Sequence, residues 1–158
     1  MATKFEISSF LGDERLVARR AVAGDVFSFL TRSLVLPPDC AAMVWPDVGS
    51  PRVAGPGSSV DADGAVRLMF VRNTPFALRY EFDRLTSADG FELSASVGFQ
   101  IKVVAERTEL AGFCDRLMGS AATVTLDALQ SHCAEAVHAA VVAFVKARKA
   151  TTLLSPQP

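Results

Sequence analysis

The chain has 158 residues, of which 50% are hydrophobic and 21% are charged, and its formal net charge is -1. This length fits one domain, the apolar share argues against disorder, and the near-zero charge argues against a nucleic-acid-binding polycation. No run of about eighteen apolar residues predicts a membrane-spanning segment, and the charged N-terminus does not resemble a secretory signal. We therefore expect a cytoplasmic protein, either free in the cytoplasm or peripheral to a membrane.

The first third of the chain is punctuated by turn-forming residues. Residues 1–33 show no periodicity that assigns them a structure, because two glycines interrupt their apolar residues. The Pro-Pro-Asp sequence at 37–39 predicts a turn into a short apolar strand at 40–45. Residues 46–64 are rich in Pro, Gly, Asp and Ser, which favours turns over regular structure, and a further strand is predicted at about 65–71.

The middle of the chain alternates between apolar and polar residues. This pattern covers residues 75–83 and, more strictly, 91–103, where the odd positions from Phe91 to Val103 are apolar. A period of two predicts half-buried strands, and the short connection RLTSADG predicts that the two form an antiparallel pair with one shared core face. Gly98 interrupts the polar face and predicts a bend in the second strand.

The period then changes to that of a helix. Residues 108–119 predict one helix that ends at Gly119, and residues 125–149 predict a second, longer one. The predicted core stripe of the long helix consists of Leu126, Leu129, Cys133, Val137, Ala140, Val141 and Phe144. Its opposite side is rich in small residues and carries Ala128, Ser131, Glu135, Ala139, Val142 and Lys146.

The residues that usually carry chemistry do not form a recognisable site. His132 and His138 lie about 120° apart around a helix, so they cannot hold one metal ion, and we expect both on the surface. The segment 61–64 begins like an EF-hand loop but lacks the later ligands, which favours a turn between strands. No serine lies in a G-x-S-x-G elbow, and Gly55-Pro56-Gly57 has no following lysine. The sequence predicts no catalytic, cofactor-binding or metal-binding residues.

The cysteines favour a reducing compartment. Cys40, Cys114 and Cys133 are odd in number and have no CxxC spacing. We expect reduced thiols that pack as small hydrophobic side chains.

Four segments together resemble an SPFH domain, the family of stomatin, prohibitin and flotillin. They are LVLPPDCAAMVWPDVGSPRVAGPG, LTSADGFELSASVGFQIKV, ELAGFCDRL and TLDALQSHCAEAVHAAVVAFV, and the resemblance covers residues 34–150. It implies an α+β fold in which a bent, mostly antiparallel sheet with a long alternating strand packs against two C-terminal helices. It also implies wedge-shaped domains that pack side by side in rings or cages at membranes. Ser87 stands where the family's turn usually has Thr, and neither the membrane hairpin nor the long coiled coil typical of stomatin-like members is present in this sequence.

The sequence therefore predicts an N-terminal segment at 1–33, an SPFH-like domain at 34–150 and a short tail at 151–158. By the resemblance, the function is that of a non-enzymatic scaffold that self-associates weakly to moderately and acts at or near a membrane surface or membrane protein, without nucleic acid. The alternative is a soluble adaptor that keeps the fold without membrane anchoring and binds another protein. The candidate interaction residues are Ala128, Ala139 and Val142 on the long helix and Phe27, Phe29 and Leu30 near the N-terminus.

Overall fold

The computed structural model describes residues 5–28 and 30–155. In chain order their elements are α1 (Ile7–Gly12), β1 (Leu16–Val22), α2 (Ala23–Val26), β2 (Ser33–Val35), β3 (Cys40–Pro46), β4 (Arg52–Ala54), β5 (Ser59–Asp61), β6 (Ala65–Arg72), β7 (Phe76–Thr86), β8 (Glu92–Ile101), α3 (Arg107–Phe113), β9 (Thr123–Thr125), α4 (Leu126–Lys146) and α5 (Ala150–Leu154). The predicted α+β class is confirmed.

The chain divides into two compact units that interleave along the sequence. The first unit contains the described residues up to Phe76 together with Lys102–Leu129, and the second contains Ala77–Ile101 together with the described residues from Gln130 onward. The predicted domain limits at 33/34 and 150/151 do not coincide with these divisions.

The first unit is built on a five-stranded sheet with the order β4-β3-β6-β1-β9. All its pairings are antiparallel, and β1 lies between β6 and β9 with Ala18 opposite Val71. This interior strand lies in the N-terminal segment that the sequence left unassigned. Its two buried residues, Val17 and Ala18, are neighbours and are followed by two arginines, so the strand shows no alternation. A separate two-stranded sheet pairs β2 with β5.

A buried cluster on the sheet contains Phe10, Phe70, Leu36, Leu68 and Val60, each at most 2% exposed. Phe10 comes from α1, whose last turn contains no basic residue of its own. The guanidinium of Arg72, at the end of β6, donates hydrogen bonds to the carbonyls of Leu11 at 3.0 Å, Asp13 at 2.9 Å and Leu16 at 3.2 Å. The last carbonyls of a helix have no partners within the helix and carry partial negative charge. A cation from a distant strand therefore stabilises the end of α1.

The breaker-rich stretch of the first unit forms a predicted turn and two strands that were not predicted. The 61–64 segment forms the predicted turn between β5 and β6, with Gly64 at a φ of +70°. The breaker-rich 46–64 stretch was predicted to lack regular structure, but it contains the three-residue strands β4 and β5. Each is too short to show a periodicity of its own.

The second unit contains the hairpin of β7 and β8, which confirms the predicted strand pair. Side-chain hydrogen bonds from Ser94 to Asp83 at 2.9 Å and from Ser96 to Glu81 at 3.0 Å show that the strands run antiparallel. In β8 every odd residue from 93 to 101 is half-buried and every even residue is exposed. Phe91, predicted on the inner face, precedes the strand and is 61% exposed.

The irregularity of the hairpin lies in β7 instead of at Gly98. The burial pattern of β8 continues without interruption through Gly98, and a Cβ there would meet only the Leu78 carbonyl oxygen, at 3.9 Å. In β7 the alternation breaks at Arg84, whose φ is +57°, so that Leu85 instead of Arg84 is buried. A residue with positive φ inside a strand is typical of a bulge. The predicted bend at Gly98 is wrong because the position does not require a glycine.

Both predicted helices are present. The first begins at Arg107 and continues through a π-helical turn at Cys114–Met118, and Gly119 ends it with a φ of +50°. In α4, Leu129 and Val145 are buried, but Phe144 is 51% exposed and Ala140 is also exposed. The predicted core stripe is therefore wrong at these two positions, because the inward face of the last turns centres on Val145. The predicted tail contains α5.

The register of β8 predicts unequal effects of two neighbouring substitutions. Phe99 is half-buried with its ring centroid 5.8 Å from that of Tyr80, whereas Gln100 is exposed. Phe99→Asp removes this stack and places a carboxylate on the inner face, which we expect to lower the free energy of unfolding by about 2–4 kcal/mol. Gln100→Asp should change it by less than about 0.5 kcal/mol. Urea denaturation of both variants measures the difference, and equal effects would contradict the register.

Candidate interaction surface

The second unit contains an apolar groove of about 480 Å³ between β8, α4 and α5. Its lining includes Leu93 and Val97 of β8, Val141 and Phe144 of α4, and Leu153 and Leu154 of α5. The strand contributes Leu93, Ala95 and Val97 of its inner, odd-numbered face together with Ser94, and the two helices contribute their last turns. The groove offers a hydrophobic surface, with few polar groups to orient a small ligand.

Two exposed apolar side chains of the groove flank three cations in the sequence. Phe144 is 51% exposed and Leu154 is 72% exposed, and Lys146, Arg148 and Lys149 lie between them in the sequence. The Arg148 guanidinium lies 3.7 Å from the centroid of the Phe144 ring, and residues 136–155 include no Asp or Glu. We call residues 144–154 the basic apolar end.

The hairpin loop holds the basic apolar end in place. The backbone N–H of Ala88 donates to the carbonyl of Arg148 at 2.8 Å. Asp89 Oδ1 accepts hydrogen bonds from the Ser87 hydroxyl at 2.7 Å and from the backbone N–H of Ala150, the first residue of α5, at 2.9 Å. Lys149, at the N-cap of α5, provides no side-chain cap, so Asp89 supplies one from another part of the chain.

These contacts favour the ionised form of the Asp89 carboxyl. The hydrogen bond from Ser87, followed by that from the Ala150 N–H, lowers the pKa of Asp89 below its ordinary value of 3.8. The resulting contribution to stability is present above that ordinary value and is lost as the pH falls through the lowered pKa. The Ser-Ala-Asp-Gly turn was predicted as a hairpin connection, and its role as a helix cap was missed because the capped residue lies 61 positions away.

The predicted interaction residues on the long helix occupy different environments. Ala128 and Ala139 are exposed, whereas Val142 is half-buried. Val142 was placed opposite the core stripe, which is wrong because the inward face of the last turns centres on Val145.

The predicted residues near the N-terminus do not form one surface. Leu30 is 92% exposed, but Phe27 is only 8% exposed and belongs to the core cluster of the first unit. Phe27 is the C-cap residue of α2, and its backbone N–H donates to the Ala23 carbonyl at 2.8 Å, so Phe27 is corrected from a surface residue to a core residue. Phe29 lies outside the described residues.

The first unit contains a cleft of about 430 Å³ with mixed charge. Arg20 donates to Cys114 Sγ at 3.1 Å, and the Arg67 guanidinium lies 5.4 Å from the centroid of the Trp45 ring. Two aspartates, Asp25 and Asp115, also line it. Among the described residues no group of three or more His, Cys, Asp or Glu side chains is placed to hold a metal ion. His132 and His138 are both exposed, as predicted.

The three cysteines differ in accessibility. Cys40 and Cys114 are buried, which confirms the predicted core packing, and Cys133 is half-buried. Burial, with a smaller contribution from the neighbouring Asp39 carboxylate, raises the pKa of the Cys40 thiol from 9.0 to about 12. At neutral pH this thiol is therefore protonated and unreactive.

Helix α4 is also the candidate for a membrane span in the described part of the chain. It has 21 residues and a mean hydropathy of 1.2 in its most apolar window, of which 11% is buried. The sequence predicted no spanning segment, and by length and composition this helix is at the borderline. The Gln130 side chain donates to the Arg79 carbonyl at 2.9 Å, and the Tyr80 hydroxyl donates to the Gln130 carbonyl at 2.8 Å, so its first turns are tied to β7.

No known protein family matches the chain, and no curated protein matches its sequence.

The Asp89 cap predicts a local effect of one isosteric substitution. Asp89→Asn removes the negative charge of the side chain that accepts the hydrogen bond from the Ala150 N–H. We therefore expect faster hydrogen exchange at the backbone amides of residues 150–154 at neutral pH. Lowering the pH of the wild-type protein through the lowered pKa of Asp89 should produce the same local opening. Hydrogen exchange followed by mass spectrometry measures both, with Asp83→Asn as a control on the outer face of the same hairpin. Unchanged exchange in 150–154 would show that Asp89 does not hold α5.

Burial of Cys40 predicts a slow thiol. In a variant with Cys114→Ala and Cys133→Ala, maleimide labelling of Cys40 at pH 8 should be at least about a hundredfold slower than that of a free thiol. Because the pKa is raised, folding favours the neutral thiol, and this contribution to stability is lost only as the pH rises above 9.0 towards about 12. Mass spectrometry gives the rate, and the same variant in urea is the control. Native labelling as fast as labelling in urea would contradict core packing.

Proposed function

We propose that this chain is a non-enzymatic assembly module of the SPFH type that self-associates and works against an anionic membrane surface. The resemblance of residues 34–150 to SPFH domains supports the assembly part of the proposal. In that family, wedge-shaped domains built on a bent sheet and two C-terminal helices pack side by side at membranes.

The proposed contact with an anionic membrane surface is supported by the basic apolar end. Exposed Phe and Leu side chains beside Lys and Arg suit the boundary between lipid acyl chains and headgroups, since the apolar groups insert while the cations remain at the phosphates. Each Lys or Arg near an anionic surface contributes about 1 kcal/mol. Phe144 and Leu154 would enter the bilayer surface, and Lys146, Arg148 and Lys149 would contact the phosphates.

A non-enzymatic role fits the chemistry of the two surfaces. The groove presents hydrocarbon, without a nucleophile and base within reach of each other. In the cleft of the first unit, Arg20 is engaged by Cys114 Sγ and by the Ala121 carbonyl at 3.4 Å. These contacts connect β1 to the segment after α3, which is a structural role.

Vesicle sedimentation tests the proposal with two matched variants. Leu154→Glu replaces a 72% exposed apolar side chain of the basic apolar end with an acid, and Val48→Glu does the same at an 87% exposed position of the first unit. We expect the wild type to bind vesicles with anionic lipid more tightly than neutral ones, and Leu154→Glu to weaken binding by about tenfold or more. Val48→Glu should bind like the wild type, and binding should weaken with salt.

Two results would contradict the proposal. Equal binding to neutral and anionic vesicles would contradict the proposed attraction to anionic lipid. Equal loss of vesicle binding in the two variants would show that the basic apolar end is not the contact. A chain that stays monomeric on vesicles and at high concentration would contradict the assembly part.

A further inference from the structure

We infer that β8 is a self-complementary edge through which two copies of this chain pair antiparallel. The inference rests on the proposed function, because it names the partner and the contact of the proposed self-association. Its support comes from the residues of the hairpin, and neither the groove nor the basic apolar end contributes to it.

The two edges of the hairpin are protected very differently. β7 carries four charged residues, Arg79, Glu81, Asp83 and Arg84, and the last of these forms the irregularity with positive φ. The carbonyl of Arg79 also accepts a hydrogen bond from the Gln130 side chain at 2.9 Å. Charges, bulges and covering side chains are the usual means by which proteins keep an edge strand from pairing with another chain.

The edge of β8 has none of these protections. Residues 93–101, LSASVGFQI, contain no charged residue and no proline. In the described part of the chain, no hydrogen bond beyond those of the hairpin ladder uses a backbone group of β8. A long, uncharged edge strand is either a hazard or an interface. Because β7 carries charges and an irregularity that protect its edge and β8 carries neither along residues 93–101, we assign the β8 edge to an interface.

Two charged residues, Glu92 at the start of β8 and Lys102 directly after its last residue, select a second copy as the partner and fix its register. Glu92 lies five positions before Val97, and Lys102 lies five positions after it. An antiparallel pairing centred on Val97 therefore sets Glu92 of one copy opposite Lys102 of the other, twice by symmetry. Neither residue forms an ion pair within the described chain.

The same register also matches the two faces of the strand. Odd residues meet odd residues and even residues meet even ones, so the half-buried faces of both hairpins form one continuous apolar face. Moving the centre by one residue, to Ser96, keeps the faces matched but sets Glu92 opposite Gln100 and loses both charge pairs. The pair has two-fold symmetry and is closed, so each copy uses its β8 edge once.

The first test places a charge on the β8 edge. Gly98→Lys is sterically allowed, since the nearest atom to an added Cβ is 3.9 Å away and the position is exposed. Ala77→Lys adds the same charge on the exposed face of β7 and serves as the matched control. We expect analytical ultracentrifugation over a wide concentration range to show a concentration-dependent dimer for the wild type and Ala77→Lys. For Gly98→Lys the dissociation constant should rise at least about tenfold.

The second test reverses the end charges. Glu92→Lys places like charges opposite each other twice and should raise the dissociation constant by about tenfold at low salt. The double variant Glu92→Lys/Lys102→Glu exchanges the charges and should restore the dimer.

Failure of the inference is distinguishable from failure of the proposed function. If the wild type assembles and Gly98→Lys assembles equally well, the strand-edge contact is overturned while self-association stands. If the double variant is no tighter than Glu92→Lys, the Val97-centred register is overturned. Open-ended aggregates in place of a defined dimer would overturn the closed pair. A wild-type chain that stays monomeric would overturn both the inference and the proposed self-association.

Discussion

A two-stranded hairpin is at best marginally stable in water unless its apolar face is covered, and the second unit is organised around this constraint. Only one side of β8 is half-buried and no strand extends the sheet beyond β7 and β8 in the described residues. The covering surface is helical and is attached at both ends of the hairpin. Tyr80 and Arg79 hold the first turns of α4 through Gln130, and Asp89 holds α5 through the Ala150 N–H. The groove and the basic apolar end exist because these attachments fix the helices beside the strand.

Periodicity was sufficient to predict the elements whose burial is one-sided. The strands β7 and β8 and the helices α3 and α4 each present one apolar face, and the sequence places each to within a few residues. β1 was missed because its two buried residues, Val17 and Ala18, are adjacent and are followed by two arginines, so its sequence shows neither an alternation nor a long apolar run. The short strands β4 and β5 were missed because three residues show no period.

The candidate surface was less predictable than the fold. To assign a core stripe to a helix, one side of the helix must be chosen as the side that faces inward. In α4 an error of one position placed Phe144 on the inward side and Val142 on the outward side of the prediction. The Asp89 cap depends on two segments that are far apart in the sequence, so no local pattern indicates it. The uncharged run of β8 is visible in the sequence, but its meaning depends on β8 being an edge, which only the strand order reveals.

The position of β1 in its sheet has a consequence for synthesis on the ribosome. Its partners are β6, which ends at Arg72, and β9, which ends at Thr125, so the first sheet is incomplete until the whole hairpin has emerged. At about 5–20 residues per second this interval lasts roughly 3–10 s. The hairpin can pair within microseconds, but the part of α4 that covers it is translated later still. In a nascent chain the hairpin therefore lacks the helical cover of its apolar face until the rest of α4 has been translated.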